Sequence, residues 1–286
     1  MADGTLGGGG HAAAILRAGA PTGRLVGCDR DGAAVEAARA RLAEFAGRYE
    51  IRQGNFAGLA DWVEADSCDG VLMDLGVSSP QLDRAERGFS FQQEGPLDMR
   101  MDQSQDLTAT KILQEASVEE LAEMLWNLGG EQQSRRVARE IAREREARPF
   151  TRTRELAGLM ERISPRAGRK AHPATKVFLA LRLAVNDELG SLERGLEAAM
   201  KILKPGGRLA VITFHPVEDR VVKAFGRRLS RGYNFPGEVD VPELRQPCPP
   251  EARWVSRKAI MPGAEELRDN PRSRSGQCRV LEKLKI

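Results

Sequence analysis

The sequence predicts an α/β protein: a mostly parallel sheet interrupted by a helical insertion. Three observations predict it. Short apolar runs alternate with one-faced helices over the first 75 or so residues. The alternation stops between about 81 and 170, where helices follow one another without strands. It resumes from about 171 to the C-terminus, which gives a sheet domain of 1–81 and 171–286 around an insertion of 82–170. At 286 residues, 41% of them hydrophobic, the chain holds enough apolar material for one large core with a satellite.

Each element has a local reason. His11 to Ala18 is helical and stops at Gly19. Arg24–Asp29 is a short buried-type strand, and Asp31 can cap a helix whose Ala34, Val35, Ala38, Leu42 and Phe45 share one face. Tyr49–Gln53 and Asp69–Asp74 are strands separated by a short helix near Leu59–Val63. Within the insertion, Ser117 with Glu120 forms a capping box for a helix over Val118–Leu128. Glu131–Ala147 is a charged helix stopped by Pro149, and Thr153–Ile163 ends before Pro165. Ala174–Glu188 and Leu192–Leu203 are read as helices of the resumed sheet domain. Lys204–Gly207 is a turn, Arg208–Phe214 a strand and Val217–Leu229 a helix. Trp254–Ile260 and Gln277–Leu281 are late strands.

Several function classes are excluded at once. No run approaches eighteen apolar residues, and the N-terminus lacks a basic start with an apolar stretch. Cys28, Cys68, Cys248 and Cys278 are scattered without a C-x-x-C pair. A cytoplasmic protein with no membrane partner, no disulfides and no metal is expected. The net charge of +3 is uneven. Residues 1–134 carry 11 Lys/Arg against 22 Asp/Glu, whereas 135–170 carry 12 against 5. A basic segment beside an acidic half suggests a polyanion partner; the alternative is a solvated helix face on which Arg139-Glu140, Arg143-Glu144 and Arg145-Glu146 interleave as in intrahelical ion pairing.

The glycine string carries the chemistry. Gly7-Gly8-Gly9-Gly10-His11-Ala12 satisfies G-x-G-x-x-[GA], and Asp29 ends a strand about 20 residues on, placed to accept ribose hydroxyls. Two cofactors share this geometry, a nicotinamide dinucleotide and S-adenosylmethionine. Phe56 after the third strand suits an adenine face, and Asp74 ends the fourth strand at the ligand crevice. With only three histidines, candidate hydride-relay groups are few. These features favour the methyl donor over an NAD-linked oxidoreductase.

A resemblance then becomes specific. It rests on Asp3-Gly-Thr-Leu-Gly-Gly-Gly-Gly-His11, Asp74-Leu-Gly-Val-Ser-Ser-Pro-Gln81, Arg87-Gly-Phe-Ser-Phe91 and Gly95-Pro-Leu-Asp-Met-Arg-Met-Asp102. His172-Pro-Ala-Thr175 with Val185-Asn186, Phe214-His215 with Glu218-Asp-Arg220, and Asn270-Pro-Arg-Ser-Arg-Ser275 extend it nearly to the C-terminus. Together they resemble the bacterial 16S rRNA cytosine-N4 methyltransferase family (RsmH, also called MraW). The resemblance implies a class I, Rossmann-like fold with a helical insertion for substrate recognition. It implies S-adenosyl-L-methionine as donor and transfer to N4 of a cytidine in the decoding centre, with 16S rRNA or the small subunit as partner; it also admits a homodimer. Carried over by position, the cofactor contacts are Gly9, Gly10, His11, Asp29, Phe56, Asp74 and Gln81.

Two departures stand out. The glycine motif begins at the third residue, so the first strand is expected to be nearly absent, which keeps a non-catalytic assembly factor as an alternative. Pro216 stands where the family typically has Ser. Asp74 is the candidate catalytic group, an acceptor for the cytosine amine or else only a holder of the donor's amino group. Its Asp-Leu-Gly-Val replaces the acid-Pro-Pro-aromatic tetrad of DNA amino-methyltransferases. His215 is expected at the substrate mouth, with helix capping the alternative and a metal role the weakest. Phe89 and Phe91 are expected to stack on the base or to anchor the insertion to the sheet. Arg135, Arg136, Arg139, Arg152, Arg154, Arg272 and Arg274 are expected on phosphates.

Overall fold

The structure, a computed structural model, describes residues 1–165, 172–236 and 239–285. Strands β1 (Ala2–Asp3), β2 (Leu25–Asp29), β3 (Tyr49–Gln53), β4 (Cys68–Asp74), β5 (Leu203–Thr213), β8 (Ala252–Trp254) and β9 (Gln277–Lys283) form one sheet in the order β3-β2-β1-β4-β5-β9-β8. The first five in that order run parallel, and β9 is antiparallel to both its neighbours. A separate two-residue ladder joins β6 (Tyr233–Asn234) to β7 (Gln246–Pro247). The apolar run Trp254–Ile260 yields strand only at Trp254; beyond it, Ile260 makes a single bridge to Cys278.

The chain divides into two compact units, Met1–Gly76 with Leu189–Ile286, and Val77–Glu188. In the sheet unit, α1 (Gly10–Ala18) and α2 (Gly32–Arg41) bury Ala12, Leu16, Val35 and Ala38 with Leu25 and Ile51. Helices α9 (Glu188–Ile202) and α10 (Pro216–Ser230) bury Leu192, Leu196, Val222 and Phe225 with Val71, Met73, Leu209 and Val211. The short β1 is central all the same. Ala2 and Asp3 pair with Val26 and Gly27 on one side and with Val71 and Leu72 on the other, both fully buried. The chain runs on along this ladder, Gly4 N–H donating to the Leu72 carbonyl and Leu6 N–H to that of Cys28.

The second unit contains α3 (Ser79–Asp83), α4 (Ala109–Glu115), α5 (Val118–Asn127), α6 (Ser134–Ala147), α7 (Thr153–Ile163) and α8 (Thr175–Val185). Here one reading of the sequence needs correcting. Helix α8, expected within the sheet domain, belongs to the helical unit, where Val177, Phe178, Ala180, Leu181 and Val185 bury with Leu121, Leu125, Val137 and Ile141. A helix apolar on most of its sides takes whichever core surrounds it, which periodicity does not reveal. The expected Lys204–Gly207 turn is taken into β5, which starts at Leu203 because that residue pairs with Cys68 of β4. The other expected elements, the Trp254–Ile260 run aside, fall within a few residues of their predicted bounds. Residues 166–171, which include three cations of the basic segment, lie outside the described residues.

Candidate active site

Three adjacent parallel strands each end on an aspartate: β1 on Asp3, β2 on Asp29 and β4 on Asp74. Strand order reverses at β1, and open α/β sheets bind ligands at the carboxyl ends of the strands beside such a reversal. The loop that crosses these ends is the glycine string. Gly9 is the N-cap of α1 at φ 77, and a Cβ there would stand 3.2 Å from the Ala38 Cα of α2, so both backbone twist and close approach require glycine. Gly7, at φ 49, turns its N–H onto Asp29 Oδ2 at 2.8 Å.

The carboxylates are held differently. Asp29 is braced by Gly7 N–H and, through Oδ1, by Asp31 N–H at 2.9 Å, leaving further lone pairs on both oxygens. Burial raises its pKa against those two hydrogen bonds. Asp74 N–H donates to Thr5 Oγ1 at 2.6 Å, and its Oδ2 lies 3.4 Å from His11 Nε2. That contact raises the pKa of His11. Asp74 Oδ1 is buried without a partner. Asp3 is fully buried; Oδ1 accepts Thr5 N–H at 3.1 Å and Oδ2 has no partner. Burial pushes its carboxyl up to about 7, opposed by Thr5 N–H and His11 and reinforced by Asp29 and Asp74.

Buried polar atoms are nearly always satisfied, so two orphaned carboxylate oxygens in one place fit a ligand that brings hydrogen-bond donors or positive charge. A dinucleotide would bring its anionic pyrophosphate toward three aspartates, which Coulomb repulsion opposes. A sulfonium that also carries an ammonium group fits.

The sequence pattern of the MraW methylase family matches residues 1–284. The chain belongs to the MraW methylase family. It is a methyltransferase whose methyl donor is S-adenosyl-L-methionine, which removes the oxidoreductase alternative. It is 47% identical over 288 residues to the ribosomal RNA small subunit methyltransferase H of Shewanella baltica, covering 99% of this chain and 90% of that one. To the protein of the same name from Xanthomonas euvesicatoria pv. vesicatoria it is 49% identical over 284 residues, covering 99% and 83%.

The remaining expected site residues of this MraW-family chain separate into groups. Gly9, Gly10, His11, Asp29, Phe56 and Asp74 all lie in the sheet unit. Phe56 is half-buried, its ring against Gly195 of α9, where a Cβ would come within 2.3 Å of a ring carbon. Gln81 belongs to the helical unit, buried, its side-chain carbonyl accepting Ser78 N–H in the capping box of α3. Phe89 is only 7% exposed in the helical core, so it does not present a platform for a base. Phe91 stacks on His172 at 4.5 Å and meets Phe178 edge-on at 5.0 Å; its ring is committed to the protein. For Phe89 the stacking expectation is overturned, because the sequence does not say whether an aromatic in a glycine-containing turn faces solvent or core. Phe91 is half-buried against the helical core, and among the described residues neither ring is seen to anchor the insertion to the sheet.

His215 is the N-cap of α10. Its Nδ1 accepts Glu218 N–H at 3.5 Å and its Nε2 lies 2.9 Å from the buried Glu218 carboxylate, so the capping reading describes it. Pro216 opens that helix, a position where the missing N–H costs nothing. Arg135, Arg136 and Arg139 are exposed on α6, and Arg154 is exposed on α7. Arg152 reaches Glu94 at 3.4 Å. Arg272 and Arg274 are exposed in a 3-10 turn of the sheet unit. Among the described residues, no group of three or more His, Cys, Asp and Glu is gathered to hold a metal, and no helix is long and apolar enough to cross a membrane. The four cysteines are free.

Sequence reasoning missed Asp3 as a site residue. The signal was present: Asp3-Gly-Thr opens the glycine motif at a strand end, the same position that singled out Asp29 and Asp74.

Proposed function

We propose that this protein transfers a methyl group to the exocyclic N4 of a cytidine in the decoding centre of 16S rRNA. The coarser part, methylation of small-subunit rRNA, is supported by family membership together with the names of relatives nearly half identical to it. The observation that carries the donor site is the pair of orphaned oxygens, Asp3 Oδ2 and Asp74 Oδ1, beside the glycine loop. The donor supplies a methyl carbon already activated on sulfur.

The chain's own residues supply position. Gly9, Gly10 and His11 suit the methionine end, Asp29 the ribose, Phe56 the adenine. Asp74 suits the donor's ammonium or a cytosine N4–H. Cytosine N4 is a weak nucleophile because its lone pair is delocalised into the ring, so alignment of N4 with the methyl carbon is what the protein must provide. Such alignment supplies roughly 7–11 kcal/mol of a barrier. If Asp74 accepts from N4–H, it also draws the departing proton's charge and favours the nitrogen lone pair. A base delivered here must be unstacked, which costs a few kcal/mol, less in a loop.

The test has two parts. Calorimetry should show S-adenosylmethionine binding; its absence would leave only a non-catalytic RNA-binding role. Methyl transfer to small subunits lacking native modification should then map to one cytidine and appear at N4 by nucleoside mass spectrometry. A product at another atom or base overturns the N4 assignment. Asp74→Ala separates the two roles of the carboxylate: intact donor binding with lost turnover places it on the amine, and lost binding places it on the donor.

A further inference from the structure

The helical unit carries a cleft of about 920 Å³ between α5 and the start of α6, at the upper end of the range that holds small ligands. One wall is the outer face of α5. Leu121 and Leu125 point into the core, which leaves Trp126 off the apolar stripe and 57% exposed in the cleft. The opposite wall carries Arg135, Arg136 and Arg139.

The pairing of α6 divides along its length. Toward its C-terminal end the arginines are engaged: Arg143 pairs with Glu140, Arg145 donates to the carbonyls of Leu113 and Ala116, and Glu144 takes Arg162. The three arginines in the cleft meet no carboxylate among the described residues. Arg136 reaches only Gln133 Oε1, and Arg139 only the Arg135 carbonyl. The first turn of α6 lacks an acidic residue, but the Glu131 carboxylate accepts the N–H of its N-cap Gln133 at 2.9 Å, so the positive character of this wall rests on the three guanidiniums. Glu119 and Glu123 line the α5 side. The cleft is therefore polarised, cationic along α6 and hydrogen-bond-accepting beside the indole.

We propose that this cleft seats an unpaired nucleotide of the RNA substrate, its base stacked on the Trp126 indole and its flanking phosphates on Arg135, Arg136 and Arg139. This rests on the reading of the protein as an RNA methyltransferase and adds a contact apart from the donor site. A flat indole and unpaired guanidiniums are the two components by which single strands are held without sequence readout. The carboxylates on α5 repel a backbone and so confine the phosphates to the α6 wall, leaving acceptors for amino-bearing base edges.

The experiment uses the whole chain and an unstructured single-stranded RNA of about twelve nucleotides, followed by tryptophan fluorescence and by anisotropy. Of the three tryptophans, Trp62 lies beneath the Arg52 guanidinium and Trp254 packs on Gly226, so Trp126 is the exposed reporter. RNA should quench the native protein. Trp126→Ala should abolish most of the quench and weaken binding about five-fold or more, while Trp126→Phe should bind within about three-fold of native. Arg135→Gln with Arg139→Gln should flatten the slope of log affinity on log salt by about 1.4. Native affinity in Trp126→Ala, or an unquenched saturated complex, overturns the seat. Methylation of unmodified small subunits is measured on the same preparations. Methylation by the native chain alongside normal binding by Trp126→Ala removes the seat and leaves the function standing. If the native chain methylates no small-subunit RNA, the functional reading fails, and the quench still decides the seat.

Discussion

At the scale of single residues, Asp3 has the clearest consequence. An acid whose folded pKa is raised binds its proton more tightly when folded than when unfolded. Asp3, buried beside Asp29 and Asp74, therefore withdraws stability from the donor-free protein as pH rises from about 4 to about 7. Asp3→Asn keeps the oxygen that accepts Thr5 N–H and removes the titration. Its thermal midpoint should fall less than that of the native protein between pH 5 and pH 8. A cationic donor favours the ionised carboxylate, so native affinity for S-adenosylmethionine should rise over the same interval and that of Asp3→Asn should stay nearly flat, as calorimetry at a series of pH values would show. Gly195 makes a second, steric prediction. A methyl there collides with the Phe56 ring, so Gly195→Ala should cost about 1–3 kcal/mol in urea unfolding and weaken donor binding by displacing that ring.

At the scale of elements, local signals sufficed where the deciding contacts are local. The Ser117–Glu120 box forms as expected, Ser117 N–H donating to Glu120 Oε2 at 2.7 Å and Glu120 N–H to Ser117 Oγ at 3.2 Å. Ser117→Ala should lower stability by about 1 kcal/mol, read from the urea midpoint without a change in slope. β3 runs from Tyr49 to Gln53, the bounds expected from the sequence. Elements set by distant partners were less legible. The short helices α3 and α4 carry too few residues for periodicity to speak, and the Lys204–Gly207 turn is drawn into β5, which begins at Leu203 beside Cys68. The central position of a two-residue β1 follows from the strands that flank it.

At the scale of the whole molecule, two units with separate apolar cores imply that the contiguous one is self-sufficient. Residues 77–188 alone should unfold cooperatively by circular dichroism, since Leu121, Leu125, Ile141, Phe150, Leu156 and Leu181 are buried within it. A non-cooperative melt would show that its core depends on the rest of the chain. The alternating first 75 residues, the strand-end aspartates at 29 and 74 and the glycine loop could be read in order along the chain, because each depends on near neighbours and on backbone conformations few residues adopt. The assignment of α8 to the helical core, the enclosure of Phe89, the ring contacts of Phe91, the absence of carboxylate partners at Arg135, Arg136 and Arg139 among the described residues and the convergence of Asp3 with Asp29 and Asp74 depended on tertiary structure. Burial and charge pairing are properties of residues far apart in sequence, and only folding brings them within the few ångströms over which they act.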